Sequence, residues 1–233
     1  MRRKETPRGI FITGTDTGVG KTYVACGIAK ELRERGMDVG VMKPVETGCR
    51  LKKGVLVPSD ALALARAAAV KDPLDLVNPY RYRNPLAPAV AASLERSTVR
   101  IERIRKAFDE LNRRHEYLIL EGAGGILVPL TQNRSFLDLA KTLDLPVLVV
   151  ARPGLGTINH TLLTLEALRT RGVPIAGVVI NHALPGRSGL AERTSPAVIE
   201  DRSALPILGT VRHRARDFCG ICHALTGKSS RRL

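Results

Sequence analysis

Gly14-Thr15-Asp16-Thr17-Gly18-Val19-Gly20-Lys21-Thr22 combines closely spaced glycines with a lysine and a hydroxyl, the residue types that hold phosphate. The stretch follows a short apolar run, Ile10-Phe11-Ile12, and enters a helical pattern that continues from Tyr23 to Arg35. A glycine-rich turn between strand and helix points successive backbone N–H groups into one concave space. The helix N-terminus adds partial positive charge there. Lys21 would reach the terminal phosphates, and the Thr22 hydroxyl would ligate Mg²⁺. The usual pattern is G-x-x-x-x-G-K-[ST]; here the first glycine comes one residue early and Thr15 occupies its expected position.

Other polar residues fall at the ends of apolar runs. Lys43 ends Val39–Lys43 and precedes Pro44-Val45-Glu46-Thr47-Gly48. It is either a lysine snorkelling to the surface or a second cation beside Lys21, placed to stabilise a transferring phosphoryl group. Glu121 ends Tyr117–Glu121, ahead of Gly122-Ala123-Gly124-Gly125, and has the position of a Mg²⁺-organising carboxylate. Asp60 follows Ser59 at the start of a helical pattern, where helix capping competes with metal ligation. Thr22, Asp60 and Glu121 together would form a hard, oxygen-rich Mg²⁺ site. Gly154-Leu155-Gly156-Thr157-Ile158-Asn159-His160 makes a second anion-accepting turn before a helix. Two such turns imply a nucleotide and a second anionic ligand. His160 reads as a general base or a helix-surface histidine; the Asn181 amide, followed by His182, reads a purine ring or closes a plain turn.

These positions require a scaffold of buried strands alternating with helices. Near-continuous Val/Ile/Leu runs at Ile10–Thr13, Val39–Lys43, Tyr117–Glu121, Val147–Ala151, Ile175–Asn181 and Ile207–Val211 predict strands covered on both faces. Helical patterns cover Thr22–Arg35, Asp60–Ala69, Val99–Arg114, Phe136–Leu143 and Ile158–Arg171, with a short helix over Pro196–Arg202. The segment from Asn78 to Pro88 reads as a proline-marked loop. The fold expected is α/β: a P-loop NTPase-like, doubly wound, mostly parallel sheet with helices on both faces, in a single domain spanning residues 8–217. Residues 218–233 read as a basic, mobile tail.

Composition narrows the function classes. The 233 residues carry a formal net charge of +15, with 44% hydrophobic but only 3% aromatic residues and no Trp. Stacking of nucleic-acid bases on an aromatic platform is therefore a weak prospect. The basic clusters (Arg2 to Lys4, Arg96 to Arg114, Arg212 to Arg216, Lys228 to Arg232) are scattered and read as a solvated surface suited to anionic substrates. No apolar run is long enough to span a bilayer and the first residues lack an apolar signal core, so the expected location is the cytoplasm. Cys219-Gly220-Ile221-Cys222-His223 formally matches a haem-attachment pattern, but that chemistry needs export, so the match reads as chance.

Taken together, the sequence resembles the dethiobiotin synthetases. The resemblance rests on Gly14–Thr22 with its extra residue, Lys43–Gly48, Ser59-Asp60-Ala61, Asn78-Pro79-Tyr80, Glu121–Gly125 and Leu155–His160, in matching order and spacing from about residue 9 to 211. It implies an ATP-dependent, C–N bond-forming cyclo-ligase of biotin synthesis acting on 7,8-diaminopelargonic acid and CO₂, through a carbamate and a carbamic–phosphoric anhydride. By position, it assigns Lys43, Lys21 and Thr17 to catalysis, and Thr22, Asp60 and Glu121 to Mg²⁺. ATP would meet Gly18, Val19, Gly20, Lys21, Thr22, Tyr23, Asp60, Glu121, Gly122, Ala123 and Gly124, with Asn181, His182, Arg212, His213 and Arg214 near the base. Thr47 would contact the diamine. Gly156, Thr157, Ile158 and Asn159 would hold its carboxylate across a homodimer interface. Two departures stand out: Arg212-His213-Arg214 is basic where the family has a proline-containing apolar stretch, and the residues after Phe218 follow no family pattern. The competing reading is a partition-type ATPase that binds DNA. Such proteins carry a signature lysine five residues before the P-loop lysine, and here that position is Asp16.

Overall fold

The computed structural model describes residues 8–186 and 189–227. The chain runs β1 (Gly9–Gly14), α1 (Lys21–Glu34), β2 (Val39–Met42), β3 (Val45–Glu46), β4 (Arg50–Lys52), β5 (Val55–Val57), α2 (Ser59–Ala68), α3 (Leu74–Val77) and β6 (Tyr80–Arg81). It continues through α4 (Pro88–Leu94), α5 (Ile101–Arg114), β7 (Tyr117–Gly125), α6 (Phe136–Leu143), β8 (Val147–Ala151), α7 (Thr157–Thr170), β9 (Ile175–Asn181), α8 (Leu190–Ser203), β10 (Ile207–Val211) and α9 (Cys219–Thr226). The six long apolar runs form one parallel sheet in the order β10-β9-β8-β1-β7-β2.

Strand alternation sorts the core into two layers. Ile10, Ile12, Val39, Val41 and Ile119 pack with Val24, Ile28 and Leu32 of α1 and Leu64 of α2. Phe11, Met42, Leu118 and Leu120 face the opposite way, against Ile104 and Phe108 of α5, Phe136 of α6 and Leu165 of α7. Since β1 lies between β7 and β8, the chain order reverses direction beside it. The crevice at such a switch point opens at the carboxyl ends of the strands, where the Gly14–Thr22 turn leaves β1.

The structure corrects several sequence-based expectations. The third predicted strand continues past Glu121 to Gly125, because the small residues Gly122, Ala123, Gly124 and Gly125 let it stay beside β1, with a register shift before Gly14↔Gly125. The Asn78–Pro88 segment is not all loop: β6 pairs in parallel with β3, and Pro88 opens α4. Helix α8 begins six residues before Pro196, which sits inside it. The hydroxyls of Thr194 and Ser195 bond back to the Leu190 and Ala191 carbonyls in that first stretch.

The largest correction concerns the tail. Residues 218–227 are not a loose extension: Phe218, Ile221 and Cys222 are buried against α1. A Cβ on Gly27 would stand 2.1 Å from the Phe218 ring, so α1 gives up a side chain to seat it. Arg35 ties the junction further by donating to Glu31 and to the Cys219 carbonyl. The basic residues 228–233, like Arg2 to Lys4, lie outside the described residues.

Candidate active site

Lys43 stands one residue beyond β2, and its backbone is fixed from two sides. Its N–H donates to the Val77 carbonyl at 2.7 Å, and the fully buried Asn78 donates its Nδ2 to the Lys43 carbonyl at 2.6 Å. The side chain is therefore aimed inward rather than out to water, and only 3% of the residue is exposed. Its Nζ donates to Glu121 Oε1 at 2.6 Å, lies 3.1 Å from Asp60 Oδ2, and donates to the Gly122 carbonyl at 3.2 Å. Burial opposes the charge, but Glu121 and Asp60 outweigh it, and the Lys43 pKa sits above the ordinary lysine value. The snorkelling alternative is thus excluded.

Lys21 opens α1 and is also buried, with its Nζ donating to the Asp16 carbonyl at 3.0 Å. Burial and then the neighbouring Lys43 lower its pKa to about 8, against the upward pull of Glu121, Asp16 and Asp60. Two buried lysines in one cleft form an anion-attracting pair. The turn that presents them is tightly fitted. Gly20 has φ 89°, and a Cβ there would stand 2.1 Å from Asn181 Nδ2, which itself donates to the Val19 carbonyl at 2.8 Å.

The oxygen ligands expected for Mg²⁺ converge around Lys43. The Thr22 hydroxyl donates to Glu121 Oε1 at 2.8 Å, while Glu121 Oε2 is buried without a hydrogen-bond partner among the described residues. An orphaned buried carboxylate oxygen beside a hydroxyl and a second carboxylate fits a hard cation. Two carboxylates and a hydroxyl suit Mg²⁺, which keeps waters and takes phosphate oxygens for the rest of its shell. Asp60 is not the helix cap weighed from the sequence. Cap duty at α2 falls to Glu46, a buried residue whose Oε1 accepts from Asp60 N–H at 3.0 Å and from the Ser59 hydroxyl at 3.3 Å; its Oε2 accepts from Ala61 N–H at 2.9 Å. Burial pushes the Glu46 carboxyl up, against those N–H groups.

A cleft of ≈ 670 Å³ joins these residues. It is lined by Thr17, Gly18, Gly20, Lys21 and Thr22 from the turn, by Lys43, Asp60 and Glu121, and by Ala123 and Gly124. Thr47 and the apolar stretch Pro85–Pro88 also line it. Glu95 shapes that stretch by accepting from the N–H groups of Arg83 and Asn84.

The remaining sequence candidates fall into two groups outside this lining. Beside the turn, the Tyr23 hydroxyl donates to the Ala215 carbonyl, His182 N–H donates to the Val211 carbonyl at 2.8 Å, and His213 Nδ1 lies 2.9 Å from the Ala183 carbonyl. Val19, Tyr23, Asn181, His182 and the exposed Arg212–Arg214 strap are therefore neighbours. Gly156–Asn159 form the start of α7, where the Thr157 hydroxyl donates to the Arg152 carbonyl at 2.5 Å, and none of the four lines the cleft of its own chain. His160 lies on that helix, also away from the cleft lining. Glu46 and Asn78 fall within Lys43–Gly48 and Asn78-Pro79-Tyr80 but carry no local sign of a site role, and Glu95 lies in no motif of the sequence.

Known proteins resemble this chain over most of its length. A family model described as an AAA domain matches residues 8–216. A protein of Thermodesulfovibrio yellowstonii named ATP-dependent dethiobiotin synthetase BioD is 46% identical over 208 residues, covering 86% of this chain and 87% of the relative. A Methanocaldococcus jannaschii protein of the same name is 42% identical over 213 residues, covering 90% and 95%. Among solved structures, the MinC:MinD cell division complex of Aquifex aeolicus matches with a TM-score of 0.56 at 17% identity, covering 93% of this chain and 86% of that one. A ParA family ATPase from Chlorobium tepidum matches at 0.54 and 15%, covering 95% and 90%. At such identities the structural matches establish the fold alone: a P-loop NTPase-like fold around a parallel sheet. The DNA-binding partition reading is not favoured by the sequence relatives. By their identity and coverage, the chain belongs to the ATP-dependent dethiobiotin synthetase family.

Proposed function

We propose that the cleft closes the ureido ring of dethiobiotin from 7,8-diaminopelargonic acid, CO₂ and Mg-ATP. One amine of the diamine adds to CO₂, forming a C–N bond and releasing a proton to give a carbamate. A carbamate oxygen then attacks the γ-phosphorus of ATP, and the bond to ADP breaks. The second amine attacks the carbonyl carbon of the resulting anhydride, the C–O bond to phosphate breaks, and the ring closes with loss of a proton.

The observation that carries this reading is the position of Lys43: buried, paired with Glu121 and Asp60, and lining one cleft with both the phosphate turn and Thr47. A fixed ammonium there stabilises charge that builds on the transferring phosphoryl oxygens, and it needs no reorganisation during the step. Lys21, with its pKa near 8, stays mostly protonated at neutral pH and holds the terminal phosphates. Mg²⁺ held by Thr22, Asp60 and Glu121 would neutralise phosphate charge and orient the γ-phosphoryl group. The backbone of Gly18–Thr22 and Gly122–Gly124 packs around the nucleotide, with Thr17 at the phosphoryl end. Asn181, His182 and Arg212–Arg214 border its base. Thr47 contacts the diamine, whose methylene chain lies against Pro85–Pro88.

The substrate carboxylate is left for Gly156–Asn159 of a second copy, since that turn does not reach its own cleft; a homodimer completes the site. Among the described residues no helix is long and apolar enough to cross a membrane. The reaction is assigned to the cytoplasm, where ATP is plentiful.

The test is product formation from the diamine, ¹³C-bicarbonate and Mg-ATP. Label in the ureido carbon of dethiobiotin, with phosphate release dependent on the diamine, supports the reading. ATP hydrolysis indifferent to the diamine would sink it.

A further inference from the structure

We propose that Glu46 is a positioning residue for Asp60, setting the affinity of the site for Mg²⁺ with nucleotide; the proposal rests on the function assigned above. Three donors from the first turn of α2 converge on its carboxylate: the N–H of Asp60 and the hydroxyl of Ser59 on Oε1, and the N–H of Ala61 on Oε2. No side chain at the α2 N-cap does this work, because the cap residue is Pro58. The intervening hairpin cannot substitute. Arg50, Leu51, Lys52, Lys53, Gly54 and Val55 are all exposed, so β4 and β5 give α2 little to lean on. Glu46 itself is firmly held: it is 4% exposed, and its carbonyl accepts from Tyr82 N–H at 2.9 Å in the β3–β6 pair.

Asp60 depends on this support more than its partners do. Glu121 is locked inside β7 and Thr22 inside α1, whereas the Asp60 side chain is 40% exposed and, among the described residues, is paired there with Lys43 alone. Its carboxylate is placed by where its backbone sits, and the Glu46 carboxylate pins that backbone one atom from the Cα. Such outer partners typically alter metal affinity by about 10- to 100-fold.

The test is ADP affinity measured with saturating Mg²⁺ and again with EDTA, in wild type, Glu46→Gln, Asp60→Asn and the double variant. Glutamine keeps the volume and one acceptor oxygen but turns an N–H toward Ala61 N–H. Glu46→Gln should lower the Mg²⁺-dependent gain in ADP affinity about tenfold, and leave affinity in EDTA unchanged. In the Asp60→Asn background it should cause no further loss, because the two act through one path. An equal loss with and without Mg²⁺, or the same loss again in the Asp60→Asn background, overturns the proposal, as does no loss at all. Should Glu46→Gln show no cooperative melt, Ser59→Ala removes one donor at an exposed position. It should shift the Mg²⁺ dependence in the same direction by about two- to fivefold, and wild-type behaviour overturns the proposal. Wild-type protein that binds Mg-ADP but makes no dethiobiotin sinks the functional reading alone, leaving the Glu46 comparison decisive for its own question.

Discussion

Replacing Lys43 by methionine removes the ammonium while keeping the length and most of the volume of the side chain. The loss falls unequally on its partners. The Asp60 side chain is 40% exposed, so water takes over there, but the Glu121 side chain is 1% exposed and keeps only the Thr22 hydroxyl on Oε1. Removing one member of a buried ion pair costs about 3–5 kcal/mol, and the retained Thr22 bond puts this case near the lower bound, about 3 kcal/mol. In a domain of this size each kcal/mol lowers Tm by about 2–4 °C, so the expected drop is about 6–12 °C. Lys30, 3.7 Å from Glu34 on the exposed side of α1, supplies the calibration: its methionine variant should lose less than about 1 kcal/mol. On the proposed mechanism, in which Lys43 is the fixed cation at the phosphoryl group, its loss should also lower kcat by about 10²–10³-fold. Calorimetry reads the first effect; dethiobiotin formation at 25 °C, well below the melting transition, reads the second. A Tm matching the Lys30 variant together with retained turnover would refute the reasoning, since it would put the ammonium in water.

Two further outcomes follow from contacts away from the cleft. His115 lies between Asp38 and Asp72, 2.8 Å from each on opposite ring nitrogens, and Arg114 also reaches Asp72. Burial works against its charge, but the two carboxylates prevail and raise its pKa above 6.5. Its stabilisation is therefore complete below about pH 6.5 and fades as pH rises through the elevated folded value. His115→Asn should lose about 1 kcal/mol at pH 6, discounted because Asp38 is half exposed, and progressively less in alkaline buffer. Urea melts across pH check this, and a penalty that grows with pH contradicts it. Phe218→Ala empties a buried ring site against Gly27 and should cost about 3–5 kcal/mol by denaturation; a loss under about 0.5 kcal/mol, as expected for an exposed position, would return the C-terminal segment to a loose tail.

The division between what the residues announce and what they conceal has physical causes. Strands buried on both faces leave near-continuous Val/Ile/Leu runs, and all six predicted runs entered the sheet, with β10 as a half-exposed edge strand. Their order did not show, because neighbours such as β1 and β7 pair across more than a hundred residues. A helical signal for α9 is present, since Phe218, Ile221, Cys222 and Leu225 stand at i, i+3, i+4 and i+7, but Gly220 and the overlapping Cys-x-x-Cys-His pattern mask it. Lys43, Asp60 and Glu121 stand out as candidates because charged residues at strand and helix ends are conspicuous, and the fold brings the three together. Glu46 was not, since a carboxylate capping a helix 13 residues downstream has no local pattern. Asn78 escaped for the same reason, its partner carbonyl lying 35 residues upstream.

A crystal structure with a non-hydrolysable ATP analogue, Mg²⁺ and 7,8-diaminopelargonic acid bears most directly on the cleft as a two-ligand site. Lys43 Nζ should lie within hydrogen-bonding distance, about 3 Å, of a γ-phosphate oxygen, with the diamine nitrogens on its other side near Thr47. The diamine carboxylate should meet the Gly156–Asn159 turn of a second copy. A diamine bound away from Lys43, or a γ-phosphate that Lys43 does not approach, would contradict the assignment.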